Sequence, residues 1–220
     1  YSATDGPDNL RPEAFPPSMG LQTNQTNRAL RIMELTDGVT PISRERLLEI
    51  KFDDAYSINS QAADVMQAVL AYDWSDEPKM ATAAKHLAQW DMRTNAKNRH
   101  AALGSLTALK AIMEKFTREK APAPEDAFRF SVNYLKQHYG RIDPEWGELN
   151  RFIRGDVNLP VDGAPDILRA IYPADLRDDG ILPANAGDTW IAIVEWARDG
   201  ELSADVIHQF GSATLDESSQ

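Results

Sequence analysis

Thr26-Asn27-Arg28-Ala29-Leu30-Arg31-Ile32, and further on Lys51-Phe52-Asp53-Asp54-Ala55-Tyr56-Ser57, are the segments from which this chain is best read. The first spaces Leu30, Ile32, Met33 and Leu35 for a short helix from Arg28 to Leu35, stopped by Asp37-Gly38. The second is a compact acidic turn with an aromatic residue on either side of its centre. Between them, Thr40-Pro41-Ile42-Ser43-Arg44-Glu45 reads as a helix start with Ser43 as N-cap.

Beyond the turn the pattern becomes strongly helical. Ala62, Val65, Met66, Val69 and Leu70 fall at the spacing of one buried helical stripe. Met80, Ala83, Ala84, Leu87 and Trp90 repeat that spacing, as do Leu103, Leu106, Leu109, Met113 and Phe116. Ala121-Pro122-Ala123-Pro124 then breaks the chain and places Pro124 in the first turn of another helix. Phe128, Val132, Leu135 and Tyr139 form its stripe, and Gly140 ends it.

After Gly140 the character changes. Leu149–Ile153 and Ile167–Tyr172 are short apolar segments bounded by Gly, Pro and Asp. Thr189 to Trp196 is aromatic and β-branched, the signature of a strand. Asp199-Gly200 can turn it back along Leu202–Phe210 as a hairpin. The expected fold class is α+β: an extended lead-in and short helix over residues 1–39, a helical block over 40–140, and a β-hairpin-rich closing segment over 141–220.

Composition narrows the role. A net charge of −11 over 220 residues argues against a partner built of phosphate backbone. No run of eighteen apolar residues is present, so no helical membrane span is expected. Residues 1–22 carry six Pro and Gly and no apolar period, and Tyr1 to Asp5 lacks the order of a signal peptide. With no cysteine, thiol nucleophiles, thiolate metal sites and disulfides are all excluded. Arg93, Lys97, Arg99 and His100 are read as a solvated face.

The residues alone reveal no catalytic constellation. His86, His100, His138 and His208 show no tight metal spacing, and His86 and His138 fall on helix faces. Asp156 to Gly163 faintly suggests a calcium loop, but Pro160 stands where a ligand should and Val161 where the turn glycine should. Asp175, Asp178 and Asp179 before Gly180 read as turn formers. Asn24-Gln25-Thr26 is a glycosylation sequon by letter only. The five tryptophans read as core and edge packing, with Trp90-Asp91 an alternative partner anchor.

The quoted segments resemble the β-chain of the penicillin acylase family, closest to its acyl-homoserine lactone and aculeacin-type acylases. Pro16-Pro17-Ser18-Met19-Gly20 and Asn27-Arg28-Ala29-Leu30-Arg31 look like the segment just after that family's oxyanion Asn. Leu87-Ala88-Gln89-Trp90-Asp91 and Ala101-Ala102-Leu103 look like its Leu-x-x-Trp-Asp helix pair. Trp146 to Arg151 and Leu159 to Gly163 look like its returning strands. Gly187 to Trp196 and Phe210-Gly211-Ser212-Ala213 resemble the hairpin before a Ser-x-His-Tyr segment.

The resemblance implies a piece of a larger αββα N-terminal-nucleophile hydrolase. There a Ser freed by self-cleavage attacks an amide carbonyl with its own α-amino group as base. One family site residue has a counterpart here: Arg28 matches an Arg that fixes the oxyanion Asn and the α-amino group. The competing reading of Arg28 or Arg31 is a surface cap or ion pair. Tyr1 cannot be the nucleophile, Ser2 would need a further cleavage, and the oxyanion Asn is expected upstream, so the isolated chain is expected to be inactive.

The resemblance further implies export to the periplasm or beyond. The partners it implies are the rest of the β-chain and the α-chain, with an acyl-amide substrate. No cofactor is expected, although the parent could hold a structural calcium whose ligands have no counterpart here. Two rival readings remain: a non-enzymatic protein-interaction module, and a small hydrolase using His208 with a nearby Ser and Asp. The hairpin separates the first pair, because strand faces around Trp190 and Leu202 need a missing sheet if the chain is part of something larger.

Overall fold

A computed structural model describes residues 16–19, 25–188 and 190–208, with the side chains of Pro17, Lys115 and Phe116 left undescribed. After a short 3₁₀ turn at Pro17–Met19 come seven helices among the described residues: α1 (Asn27–Thr36), α2 (Arg44–Lys51), α3 (Gln61–Ala71), α4 (Pro78–Leu87), α5 (Ala101–Thr117), α6 (Pro124–Tyr139) and α7 (Trp146–Leu149). Six strands follow: β1 (Asn150–Arg154), β2 (Val157–Pro160), β3 (Ile171–Pro173), β4 (Leu182–Gly187), β5 (Trp190–Trp196) and β6 (Leu202–His208). The fold is α+β.

The helix ends follow from local chemistry. Thr26, Ser43 and Ser60 each accept an N–H of the first turn of α1, α2 and α3 through their hydroxyls. Asn98 Oδ1 does the same for α5, accepting from His100 and Ala101 N–H. Pro124 sits in the first turn of α6, and Gly140 closes that helix in the left-handed region at φ 68°.

The main core lies where α3, α5 and α6 meet. Val69, Leu103, Phe128, Val132 and Leu135 are fully buried there, each contributing roughly 1.5–3 kcal/mol of burial free energy. Trp90 reaches this core from beyond the end of α4, with its ring laid on α5 at Gly104. A Cβ at Gly104 would stand 2.2 Å from that ring, so only glycine allows the approach. Trp90 therefore does not extend the α4 stripe, and at 8% exposure it is no partner anchor. Leu70 also departs from its stripe: Ala62, Val65, Met66 and Val69 are buried, while Leu70 turns outward at the edge of α3.

The part after Gly140 is more than a run of hairpins. β1 pairs antiparallel with β2 but parallel with β4, giving a four-stranded sheet of order β2-β1-β4-β3. Leu149 ends α7 rather than entering the strand, and Ile167 lies in the helical core while Ile171 begins β3. Asp156 belongs to the β1–β2 turn, and Asp162 accepts the Ala96 N–H instead of shaping an ion loop. Asp179 does form a turn, accepting the Ile181 N–H.

The expected hairpin is present as a separate two-stranded sheet, β5 paired with β6 from Trp190↔His208 to Trp196↔Leu202. Strand alternation puts Trp190, Ala192, Val194 and Trp196 on one face with Leu202, Ala204 and Val206. That face is open to solvent: Trp190 is 63% and Trp196 73% exposed. These two tryptophans do not pack into the core. On the other face Ile191 is buried, and Arg44 of α2 reaches both Glu195 and Asp205 at 2.9 Å.

Candidate functional site

The first turn of α1 is pinned to a residue far along the chain. Asn27 is 3% exposed. Its backbone N–H donates to Asp166 Oδ2 at 3.1 Å, and its side-chain Nδ2 donates to the Asp166 carbonyl at 2.8 Å. Asn27 Oδ1 in turn accepts the Ser57 N–H at 2.7 Å. Asp166 is itself in the left-handed region at φ 62°, a conformation Asp tolerates at a cost and one this grip maintains.

Arg28 stands beside that pair. Its Nε lies 3.9 Å from Asp166 Oδ1, beyond hydrogen-bond range, and this buried nitrogen donates to no described acceptor. The side chain remains 20% accessible. Tyr172 is a near neighbour: burial pushes its phenol upward, while the Arg28 cation and a hydrogen bond to the Asp166 backbone pull the other way. A guanidinium whose Nε has no described acceptor, next to an anchored helix terminus, can aim a donor at a further group.

Arg31, one turn on, is fully engaged. Its Nε and Nη2 donate to the two oxygens of Asp53 at 3.0 and 2.8 Å, and Nη1 donates to Glu34 at 2.8 Å. The surface-pair reading thus fits Arg31, although its partner is a buried carboxylate. Arg28 pairs too, but only loosely, with Asp166 at 3.9 Å.

Each position of the Asp53–Ser57 turn has a defined task. Asp53 holds Arg31 and accepts the Ala55 N–H. Asp54 binds Arg93 at 2.8 Å and takes the Thr94 hydroxyl on its carbonyl, and burial, partly opposed by Arg93, raises its pKa. Tyr56 is buried with its hydroxyl donating to the Pro165 carbonyl, and burial raises that phenol well above its ordinary range. Ser57 donates its hydroxyl to Glu34 at 2.5 Å. The motif is a clamp joining α1, the Arg93–Thr94 loop and the loop around Pro165. Arg93, Lys97 and Arg99 stay exposed, as a solvated face requires, although Arg93 is bound by Asp54 and Arg99 by Asp143.

A cationic extension lies next to this clamp and was not foreseen. Arg169 N–H donates to the Asp53 carbonyl, its guanidinium lies 3.9 Å from Asp188, and Lys51 donates to Asp188 at 2.7 Å. Burial lowers the pKa of Arg169, against the pull of Asp188 and Asp162. The separations, more than a hundred residues for Lys51–Asp188, explain why no local pattern announced it.

The other candidates are dispersed. His86 and His100 stack with ring centres 4.3 Å apart, and His138 packs on Tyr134. His208 is exposed at the end of β6, paired with Trp190. Among the described residues no three His, Asp or Glu gather as metal ligands. Thr26 of the sequon is the α1 cap. Tyr1, Ser2 and the Phe210–Ala213 match lie outside the described residues. The family model described as Penicillin amidase matches residues 7–218, nearly the whole chain.

Proposed function

The chain belongs to the penicillin amidase family, and we propose that it serves an acylase, an amidohydrolase splitting the bond between an acyl group and an amine-bearing head group. The match over residues 7–218 is the observation that carries this reading. Arg28 is this chain's supporting residue in that reading: it matches the Arg of the family pattern, and its buried Nε has no described acceptor.

In this reading a Ser Oγ attacks the amide carbonyl and passes its proton to its own α-amino group. The tetrahedral oxyanion is held by an Asn side chain and backbone N–H groups, the amine leaves with the proton, and water then cleaves the acyl ester. Arg28 orients the oxyanion Asn and the α-amino group from the anchored start of α1. No residue of this sequence matches the nucleophile or that Asn, so both are assigned to the parent protein, and the chain by itself is inactive. The favoured substrates are N-acyl-homoserine lactones, or the acylated side chains of β-lactams and lipopeptides. Quorum quenching or antibiotic metabolism is then the role, in the periplasm or outside the cell.

The open face of β5–β6 supports a covering polypeptide, which we assign to the rest of the β-chain and the α-chain. The same face would serve an interaction module without catalysis, so activity must decide. The test is amide hydrolysis by the complete gene product and by the 220-residue chain on long-chain acyl-homoserine lactone and phenylacetyl amide substrates. Turnover by the former alone supports the proposal. No turnover by the complete product on any acyl amide leaves the module as the reading. Turnover by the isolated chain overturns the assignment of the nucleophile.

A further inference from the structure

Asp166 divides its carboxylate between two tasks. Oδ2 accepts the Asn27 N–H at 3.1 Å, while Oδ1 faces the Arg28 Nε at 3.9 Å. Among the described residues it is the carboxylate paired with Arg28. The Asp166 side chain is 5% accessible and that of Arg28 20%, so salt screens this pair far less than a surface one. The nearest acids of the clamp are otherwise engaged, since Asp53 and Glu34 both hold Arg31.

The loop that carries Asp166 is fixed on both sides. Pro165 before it gives its carbonyl to the buried Tyr56 hydroxyl at 2.9 Å, and Ile167 after it is fully buried in the helical core. Further back, Trp146 Nε1 and Asn150 Nδ2 both donate to the Gly163 carbonyl, and the Ile171 N–H donates to that of Ala164. Asp166 itself is left-handed at φ 62°, a conformation that a non-glycine residue keeps only where its surroundings over-determine it.

Anchoring α1 does not require a charge here. The Asn27 N–H needs one acceptor oxygen, and the Asn27 side chain binds the Asp166 backbone carbonyl. An Asn at this position would serve both bonds and accept the left-handed backbone as readily. What the carboxylate adds is a second, anionic oxygen held at a fixed place beside a guanidinium. We propose that Asp166 is a positioning residue of the acylase: its Oδ1 sets the orientation from which Arg28 reaches the oxyanion Asn and the α-amino base. This role rests on the acylase reading. Asp166 acts through Arg28 and touches neither the substrate nor the reacting atoms.

Asp166→Asn separates the two tasks. The amide oxygen keeps the Asn27 N–H, and the amide nitrogen then faces Arg28, donor against donor. In the complete acylase kcat should fall about tenfold or more, toward the roughly 10²-fold of a misplaced reacting group, with KM changed less than about twofold. In an Arg28→Ala background the same substitution should leave kcat where it is, because the group it acts through is gone. In the 220-residue chain the urea midpoint should hold, while NMR of the arginine Nε–H groups should show the Arg28 signal losing its order. Wild-type kcat in Asp166→Asn, additive losses in the double variant, or an Arg28 signal that the substitution does not move would each overturn the proposal. A urea midpoint that falls in step with kcat would assign Asp166 to the fold alone. Absence of turnover by the wild-type complete product is a different failure: it defeats the acylase reading, and the catalytic role of Asp166 falls with it.

Discussion

Asn27 and Asp166 hold each other at two points, backbone N–H to carboxylate and side-chain amide to backbone carbonyl, across 139 residues of chain. This pair seats α1 on the loop before β3 and keeps Arg28 in place. The left-handed backbone of Asp166 persists because both of its polar ends are occupied by one partner.

Asn27→Ala leaves the Ser57 N–H and the Asp166 carbonyl buried without their partner. Each orphaned group costs about 1–3 kcal/mol, so a loss of roughly 2–4 kcal/mol is expected in urea unfolding. A change below about 0.5 kcal/mol, the scale of a surface substitution, would show that Asn27 is not the anchor.

Arg28 and Arg31 should separate stability from activity. Arg31→Ala takes from the buried Asp53 its bidentate partner, leaving only Arg93 at 3.8 Å and the Ala55 N–H, and should cost about 3 kcal/mol, the lower end of the range for breaking a buried pair. Arg28→Ala loses only a 3.9 Å contact and should cost much less stability. In the complete acylase it should lower kcat about 10²-fold, the scale of a misplaced reacting group. KM should change little, and Arg28→Lys should restore part of the loss. Equal stability losses in the two variants, or full activity in Arg28→Ala, would defeat this division.

Gly104→Ala places a methyl against the Trp90 ring. Overpacking of this kind costs about 1–3 kcal/mol, and a lower Tm with altered tryptophan fluorescence is expected. An unchanged Tm would mean that the ring moves freely off α5.

His86 should make the fold acid-sensitive. Burial first, and then the neighbouring His100, hold its pKa below the ordinary histidine value, opposed by the hydrogen bond to the Arg99 carbonyl and by Asp143, with the Arg99 cation adding last to the lowering. The folded-state pKa is thus the lower one. The stabilisation is full above the unfolded value of about 6.5 and is lost as pH falls through it toward the folded value. The urea midpoint should drop across that window, and His86→Gln should flatten the drop. The same slope in the variant would assign the sensitivity elsewhere.

Trp196→Lys tests the open hairpin face. At 73% exposure the ring contributes little to the isolated chain, so stability should stay within about 0.5 kcal/mol. Assembly with the rest of the acylase should fail. A large loss of stability in the isolated chain would mean that the face is packed.

Local chemistry made much of this protein readable from its residues. Ser43, Pro124 and Gly140 mark helix ends because a cap hydroxyl, a fixed φ and a missing Cβ act within one turn. The stripes of α3 and α6 announce their buried faces because a helical period needs no distant partner, and Asp199-Gly200 announces the hairpin in the same way. Arg28 is singled out by the family likeness alone, and Asp53 to Ser57 stands out as a pattern whose purpose the residues leave open.

That purpose is tertiary. Asp53 meets Arg31, Asp166 meets Asn27, and β1 meets β4 in parallel only in the folded chain. Leu70 departs from its stripe for the same reason, since burial depends on which neighbour arrives, while Trp90 is buried as its spacing predicts but beyond the end of α4, where Gly104 lets its ring approach. The sequence by itself determined the longer helices, the ends marked by Ser43, Pro124 and Gly140, and the acidic, cysteine-free character. Only the tertiary structure decided which carboxylate engages which guanidinium, because hydrogen bonds between groups a hundred residues apart leave no periodic trace in the chain.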